Sequence, residues 1–147
     1  LLHDGTHMLD IIPFLTDRPL ELLRVFPAAP NNVYAIARSG DVDILFEAGN
    51  RRDHLVFELE LSFAEGRIRV GNGVFEEWES GESPYYENFR TLARRPTEAF
   101  DTTASFSGMM EDAVRLFRSP GTPISSFDAG VDSLALVMAM RRRLRLA

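Results

Sequence analysis

The 147-residue chain has no cysteine, which excludes a disulfide framework and any thiolate metal site and leaves the redox compartment open. It has no lysine either, since all sixteen basic residues are arginine. A lysine general acid, a Schiff base and a phosphate-holding lysine are therefore absent from its chemistry. Basic residues are also outnumbered, 16 against 22 acidic for a net charge of -6, which argues against nucleic acid or an anionic membrane as partner. No apolar run reaches the roughly 20 residues that cross a bilayer, and no basic segment followed by an apolar one marks a secretion signal. A cytoplasmic protein is the expectation. There is no phosphate loop, no G-x-S-x-G elbow and no G-x-G-x-x-G turn, so this chain alone is not expected to bind a dinucleotide.

With 45% hydrophobic residues, the length suits one domain over 1–147 with a core of its own. Leu1 is no initiator methionine, and the first residues already read as part of an organised segment. That suggests a fragment of something longer.

The stretch LLHDGTHMLDIIPFL gathers two of the three histidines. Asp4 or Thr6 is placed to accept hydrogen bonds from the free amides of a helix through Met8, Leu9, Ile11, Ile12 and Leu15. If that helix starts early, His3 and His7, four apart, or Asp4 and His7, three apart, share a face. Pro13 either kinks the helix or sets its first turn, and Thr16, Asp17, Arg18 and Pro19 end it. Leu20 to Phe26 reads as a strand covered on both sides, although a short helix also fits, and Val33 to Arg38 reads as a second strand.

Val42 to Ala48 alternates as a half-buried strand does. Leu55, Phe57, Leu59, Leu61 and Phe63 face one way and Val56, Glu58, Glu60 and Ser62 the other, a pattern no helix produces. A hairpin centred on Ala64 and Glu65 sets Arg69 opposite Glu60, and Val74 to Glu79 adds another strand. Residues 83–90 read as a lid or substrate-facing loop. Met109, Met110, Ala113, Leu116 and Phe117 recur at helical spacing. Ser125 with Asp128 resembles a capping box for a last helix through Val131, Leu134, Ala135 and Met138, with Arg141 to Arg145 at its carbonyl end. The layout is α+β, a largely antiparallel open sheet of about six strands with helices packed on one face.

His3, Asp4 and His7 carry the residue types of a metal site, with His54 as a distant fourth group, but a site needs a third ligand and an open position. As an acid/base pair, His7 with Asp4 needs only a histidine, a residue type with a reference pKa of roughly 6.5, and a carboxylate to orient it. The plainer account makes Asp4 a helix cap and His7 a partly buried first-turn residue. Tyr85 and Tyr86 carry hydroxyls and rings suited to a polar substrate, although paired tyrosines also serve strands and interfaces. The Glu76, Glu77, Glu79 cluster reads as a solvated strand face.

Gly5, Thr6, His7 and Asp10, the block of strands, and the closing ISSFDAGVDSLALVMAM together resemble the C-terminal domain of the Gfo/Idh/MocA oxidoreductases. The resemblance covers nearly the whole chain. It implies a two-domain NAD(P)-dependent enzyme acting on a sugar, cyclitol or related polyol, whose missing Rossmann domain holds the NAD or NADP and the catalytic lysine. This chain would then hold no cofactor itself. It would bind a small polar substrate and form a homo-oligomer through its open sheet face. Many members carry a D-x-x-x-H pattern that positions substrate or moves its hydroxyl proton. His7 matches the histidine, but the position four before it is His3, with Asp4 shifted by one. Asp10 matches a recurrent position read as structural. Two other functions stay open, a non-catalytic ligand-binding or assembly module and a small metal-dependent hydrolase or lyase.

Overall fold

The structure, a computed structural model, describes residues 4–27, 32–49, 53–97 and 104–145. Its elements in chain order are α1 (Asp4–Thr16), β1 (Leu20–Pro27), β2 (Val33–Ser39), β3 (Val42–Ala48), β4 (Glu58–Phe63), β5 (Gly66–Gly71), β6 (Val74–Glu82), β7 (Arg90–Arg94), α2 (Ala104–Arg118) and α3 (Phe127–Arg145). The class is α+β, with seven strands in two open antiparallel sheets of three and four. Residues Leu1–Asp53 with Ser119–Ala147 form one compact unit, and His54–Arg118 a second.

In the first unit β2 lies between β1 and β3. Strand alternation puts Ala35, Ala37 and Ser39 on a buried face and Tyr34, Ile36 and Arg38 on an exposed one. The core comprises Leu9 and Ile12 of α1, Leu20 of β1, Ala35 and Ala37 of β2, Phe46 of β3, and Val137 and Met140 of α3. α1 packs on α3, and both pack on β1. β1 is thus an edge strand covered on one side, not on both: Leu20 is buried whereas Leu23 and Arg24 are exposed. A bulge between Leu22 and Arg24 leaves Leu23 as the extra residue, and Arg143 Nη1 donates to its carbonyl at 3.0 Å.

Because α1 begins at Asp4, Pro13 falls inside the helix rather than in its first turn, where its missing amide removes one bond to the Leu9 carbonyl. The helix stops at Asp17, a non-glycine residue at φ 52. Thr16 Oγ1 donates to the Ile12 carbonyl at 2.8 Å and lies 2.6 Å from Ser39 Oγ, which is also 3.0 Å from the Arg18 carbonyl. This clasp fixes the end of α1 to the end of β2. At the start of α3, Ser126 Oγ accepts the Ala129 N–H at 3.1 Å, so the N-cap is Ser126 and not Ser125. Ala129 then occupies the place of the capping-box acid, and no reciprocal bond forms.

The second unit is a four-stranded meander, β4-β5-β6-β7. Glu60 pairs with Arg69 in the ladder, as the hairpin spacing requires. The ion pairs run diagonally instead: Arg69 Nη2 lies 2.6 Å from Glu58 Oε2, and Arg67 Nη1 lies 3.8 Å from Glu60 Oε1. Glu58 stands opposite Gly71, which has no side chain, and that leaves room for the Arg69 head. β4 begins at Glu58, later than the alternation from Leu55 suggests, because Asn72 Oδ1 takes the Phe57 N–H at 2.9 Å. β7, in a stretch with no clean period, pairs Arg90–Arg94 with Trp78–Glu82.

None of the described residues from 54 to 118 is fully buried. The stability of this unit therefore depends on its ladder and its half-buried faces, since three or more strands need an apolar face to persist alone.

Two substitutions test this account. Met140→Ala, at a site with no solvent exposure, should cost about 2–5 kcal/mol, read as a lowered thermal midpoint. Gly71→Ala should destabilise the second unit selectively, because Gly71 sits at φ 138 and a Cβ there would run into the Phe57 carbonyl. Hydrogen exchange confined to the β4–β6 amides would report that loss.

Candidate functional site

His7 is the fourth residue of α1 and is exposed. Asp4 opens the helix three residues earlier, the spacing that shares a face. His3 and the Asp4 side chain lie outside the described residues. His7 stands at the head of an outward stripe with Ile11, Phe14 and Leu15, of which Phe14 and Leu15 are exposed. The opposite stripe, Gly5, Leu9 and Ile12, is buried. α1 is therefore apolar on two sides, with His7 the polar group at the start of the uncovered one.

α3 repeats the arrangement. Ser133, Val137 and Met140 are buried, whereas Phe127, Val131, Leu134 and Met138 recur at helical spacing on the exposed side, Phe127 at 85%. The apolar residues that mark this helix in the sequence are thus mostly the ones its own unit leaves uncovered.

Asp10 joins the two helices. Its Oδ1 lies 3.1 Å from Ser133 Oγ, which also lies 2.9 Å from the Ala129 carbonyl, so one hydroxyl proton faces two acceptors. The Asp10 carboxylate thus has a structural partner in the packed α1–α3 seam.

Tyr85 and Tyr86 belong to the second unit, on the loop between β6 and β7, and His7 to the first. Ser83 Oγ accepts the Tyr85 and Tyr86 N–H groups at 3.2 Å each, and Ser83 N–H donates to the Phe89 carbonyl at 2.9 Å. The loop is cinched while its aromatics point outward: Tyr85 is 83% and Tyr86 70% exposed, and Tyr86 meets Phe89 edge to face at 6.0 Å between ring centres. A loop held this way presents its rings with little ordering left to lose on binding.

His54, the first residue of the second unit, is exposed. Among the described residues no three His, Asp or Glu side chains are grouped to hold a metal ion. The Glu76, Glu77, Glu79 cluster divides between both faces of β6. Glu76 meets Arg94 at 2.8 Å, and Glu77 and Glu79 meet Arg95 at 3.3 and 3.5 Å. Arg67 lies 4.2 Å above the Trp78 ring. The hydrogen bond and then the charge of Glu58 hold the Arg69 guanidinium above its ordinary value, and Asp43 does the same for Arg38. A raised guanidinium stays charged until strong alkali, so the cation's side of each pair is not what limits it at ordinary pH. No helix among the described residues is long and apolar enough to cross a membrane.

No family model, curated protein or solved structure matches the chain.

Ser133→Ala should cost about 1 kcal/mol through the lost bond to Asp10. The matching cycle with Asp10→Ala should be non-additive in chemical denaturation, whereas independent sites would add.

Proposed function

We propose that this chain is the substrate-binding and oligomerisation domain of an NAD(P)-dependent oxidoreductase of the Gfo/Idh/MocA kind, acting on a sugar, cyclitol or related polyol. The observation that carries the proposal is the two-sided helix pair. α1 and α3 bury one stripe each in their own unit and leave Phe14, Leu15, Phe127, Val131, Leu134 and Met138 exposed. A helix that is apolar on opposite sides suits a middle layer, with a further element over its outer surface. A Rossmann domain is the cover proposed here, and it would set the substrate-bearing side of that domain beside the head of α1, where His7 stands.

The nucleotide belongs to that other domain. This chain has no lysine and no glycine-rich turn opening a helix, so its residues do not fit the cofactor. Its own contribution is His7, which would accept or orient the hydroxyl proton of a bound polyol. Tyr85 and Tyr86 are the second group offered to a polar substrate, through hydroxyls on a preorganised loop.

The subunit contact is assigned to the exposed face of the first sheet. Tyr34, Ile36 and Leu45 lie there beside the Arg38–Asp43 pair, whose Nε–Oδ1 distance is 2.8 Å, and Arg24 lies 4.6 Å above the Phe26 ring. An apolar centre with paired charges around it is the composition of an isologous interface.

Expressed with the polypeptide encoded upstream, the protein should reduce NAD or NADP with a polyol. His7→Ala should lower kcat by about 10²–10⁴-fold with an unchanged thermal midpoint. Unaltered turnover in that variant, or an upstream segment without a nucleotide fold, would overturn the reading. Leu45→Arg should convert an oligomer into a monomer by light scattering, and a wild-type monomer would remove the interface.

A further inference from the structure

The turn between β5 and β6 carries Asn72 followed by Gly73, and of the asparagines at 31, 32, 50, 72 and 88 only Asn72 precedes a glycine. Both turn residues are left-handed, Asn72 at φ 50 and Gly73 at φ 77, the pair that a two-residue hairpin prefers. Both are exposed. Glycine puts no side chain around its backbone nitrogen, so the Gly73 nitrogen has an unhindered approach to the Asn72 side-chain carbon. Two bonds restrain that amide: Oδ1 accepts the Phe57 N–H at 2.9 Å, and Nδ2 donates to Glu58 Oε1 at 3.1 Å.

We propose that Asn72 is a self-modification site, held in check by Phe57 and Glu58. The Gly73 nitrogen gives its proton to solvent base and bonds to Asn72 Cγ. The bond from Cγ to Nδ2 breaks, ammonia leaves, and a cyclic imide remains. Water opens the imide on either side, giving aspartate or its β-linked isomer, so amide plus water becomes acid plus ammonia with no redox partner. The product lacks the Nδ2 donor and sets a second carboxylate against Glu58, the group that holds Arg69 at 2.6 Å. The β-linked form also lengthens the main chain within a two-residue turn. Either product loosens the start of β4, which is an edge strand of its sheet.

The test is peptide mapping of the purified chain during storage in mildly alkaline buffer, with isoaspartate labelling. Conversion is expected at Asn72 well ahead of the other asparagines. Glu58→Ala, which removes the acceptor, should speed it about tenfold, whereas Glu58→Gln, which keeps a carbonyl acceptor, should leave it within about twofold of the wild type. Conversion first at Asn50 or Asn88, or a Glu58→Ala rate equal to wild type, overturns the proposal. If Glu58→Ala does not fold, the comparison is with a synthetic peptide spanning 70–75. That peptide must convert faster than the intact chain, and equal rates would mean that the two bonds restrain nothing.

Discussion

The first unit depends on the burial of one stripe of α3 against α1 and β1. Val137 and Met140 have no exposed surface, and the polar ties at this seam join residues far apart in the chain: Asp10 with Ser133, separated by 123 positions, and Leu23 with Arg143, separated by 120. The whole second unit is inserted between the partners. The core therefore cannot close until the end of the chain is present, and the entropy of closing that long loop precedes the contacts that compensate for it. The small side chains on β2 belong to the same constraint: Ala35 and Ala37 are buried where larger residues would hold the helices off the sheet.

The second unit answers to different physics. With no fully buried side chain among its described residues, it is organised by backbone pairing, by the diagonal Glu58–Arg69 and Glu60–Arg67 pairs, and by Gly71 at the end of β5, where a Cβ would run into the Phe57 carbonyl. Exposed ion pairs contribute little each, typically ~0–1 kcal/mol. Their value here is in register. A one-residue slip would set Glu60 against a residue of the apolar face and turn every side chain over. Arg67 adds a second constraint on the same face by setting its guanidinium over the Trp78 ring.

Strand alternation made the sheet content readable from residues alone, because period two is hard to mimic. Leu59, Leu61 and Phe63 against Glu58, Glu60 and Ser62 allow no other element. Sheet edges were less readable. The apolar run Leu20 to Phe26 has the composition of a strand covered on two sides, yet it is an edge with a bulge, since composition does not say how many neighbours a strand will find. β7 was hidden because Arg90 to Arg94 has no apolar face of its own and is strand only by pairing with β6. Ser125 and Ser126 are equivalent as N-cap candidates by residue type, and the bond from the Ala129 N–H to Ser126 Oγ decides between them. At the candidate site, His7 stood out by residue type. The role of Asp10 as a tie to Ser133 needed the fold, because no local pattern joins positions 123 apart.

The two stripes of α3 sharpen where function can reside. Phe127, Val131, Leu134 and Met138 form as regular a stripe as any core helix carries, and periodicity alone takes such a stripe for the interior. The helix carries a second set, Ser133, Val137 and Met140, with one small polar residue in it, and that is the set its unit buries. Pattern therefore marks both surfaces of the helix and cannot rank them. The ranking comes from Ser133: a hydroxyl tolerates burial here only because Asp10 and the Ala129 carbonyl are within reach, which ties that face to α1. The remaining stripe is then the uncovered one, and α1 places His7 on a stripe of the same kind. The side of α1 that carries His7 is thus also the side that its own unit leaves uncovered, and it is the side over which the proposed second domain would lie.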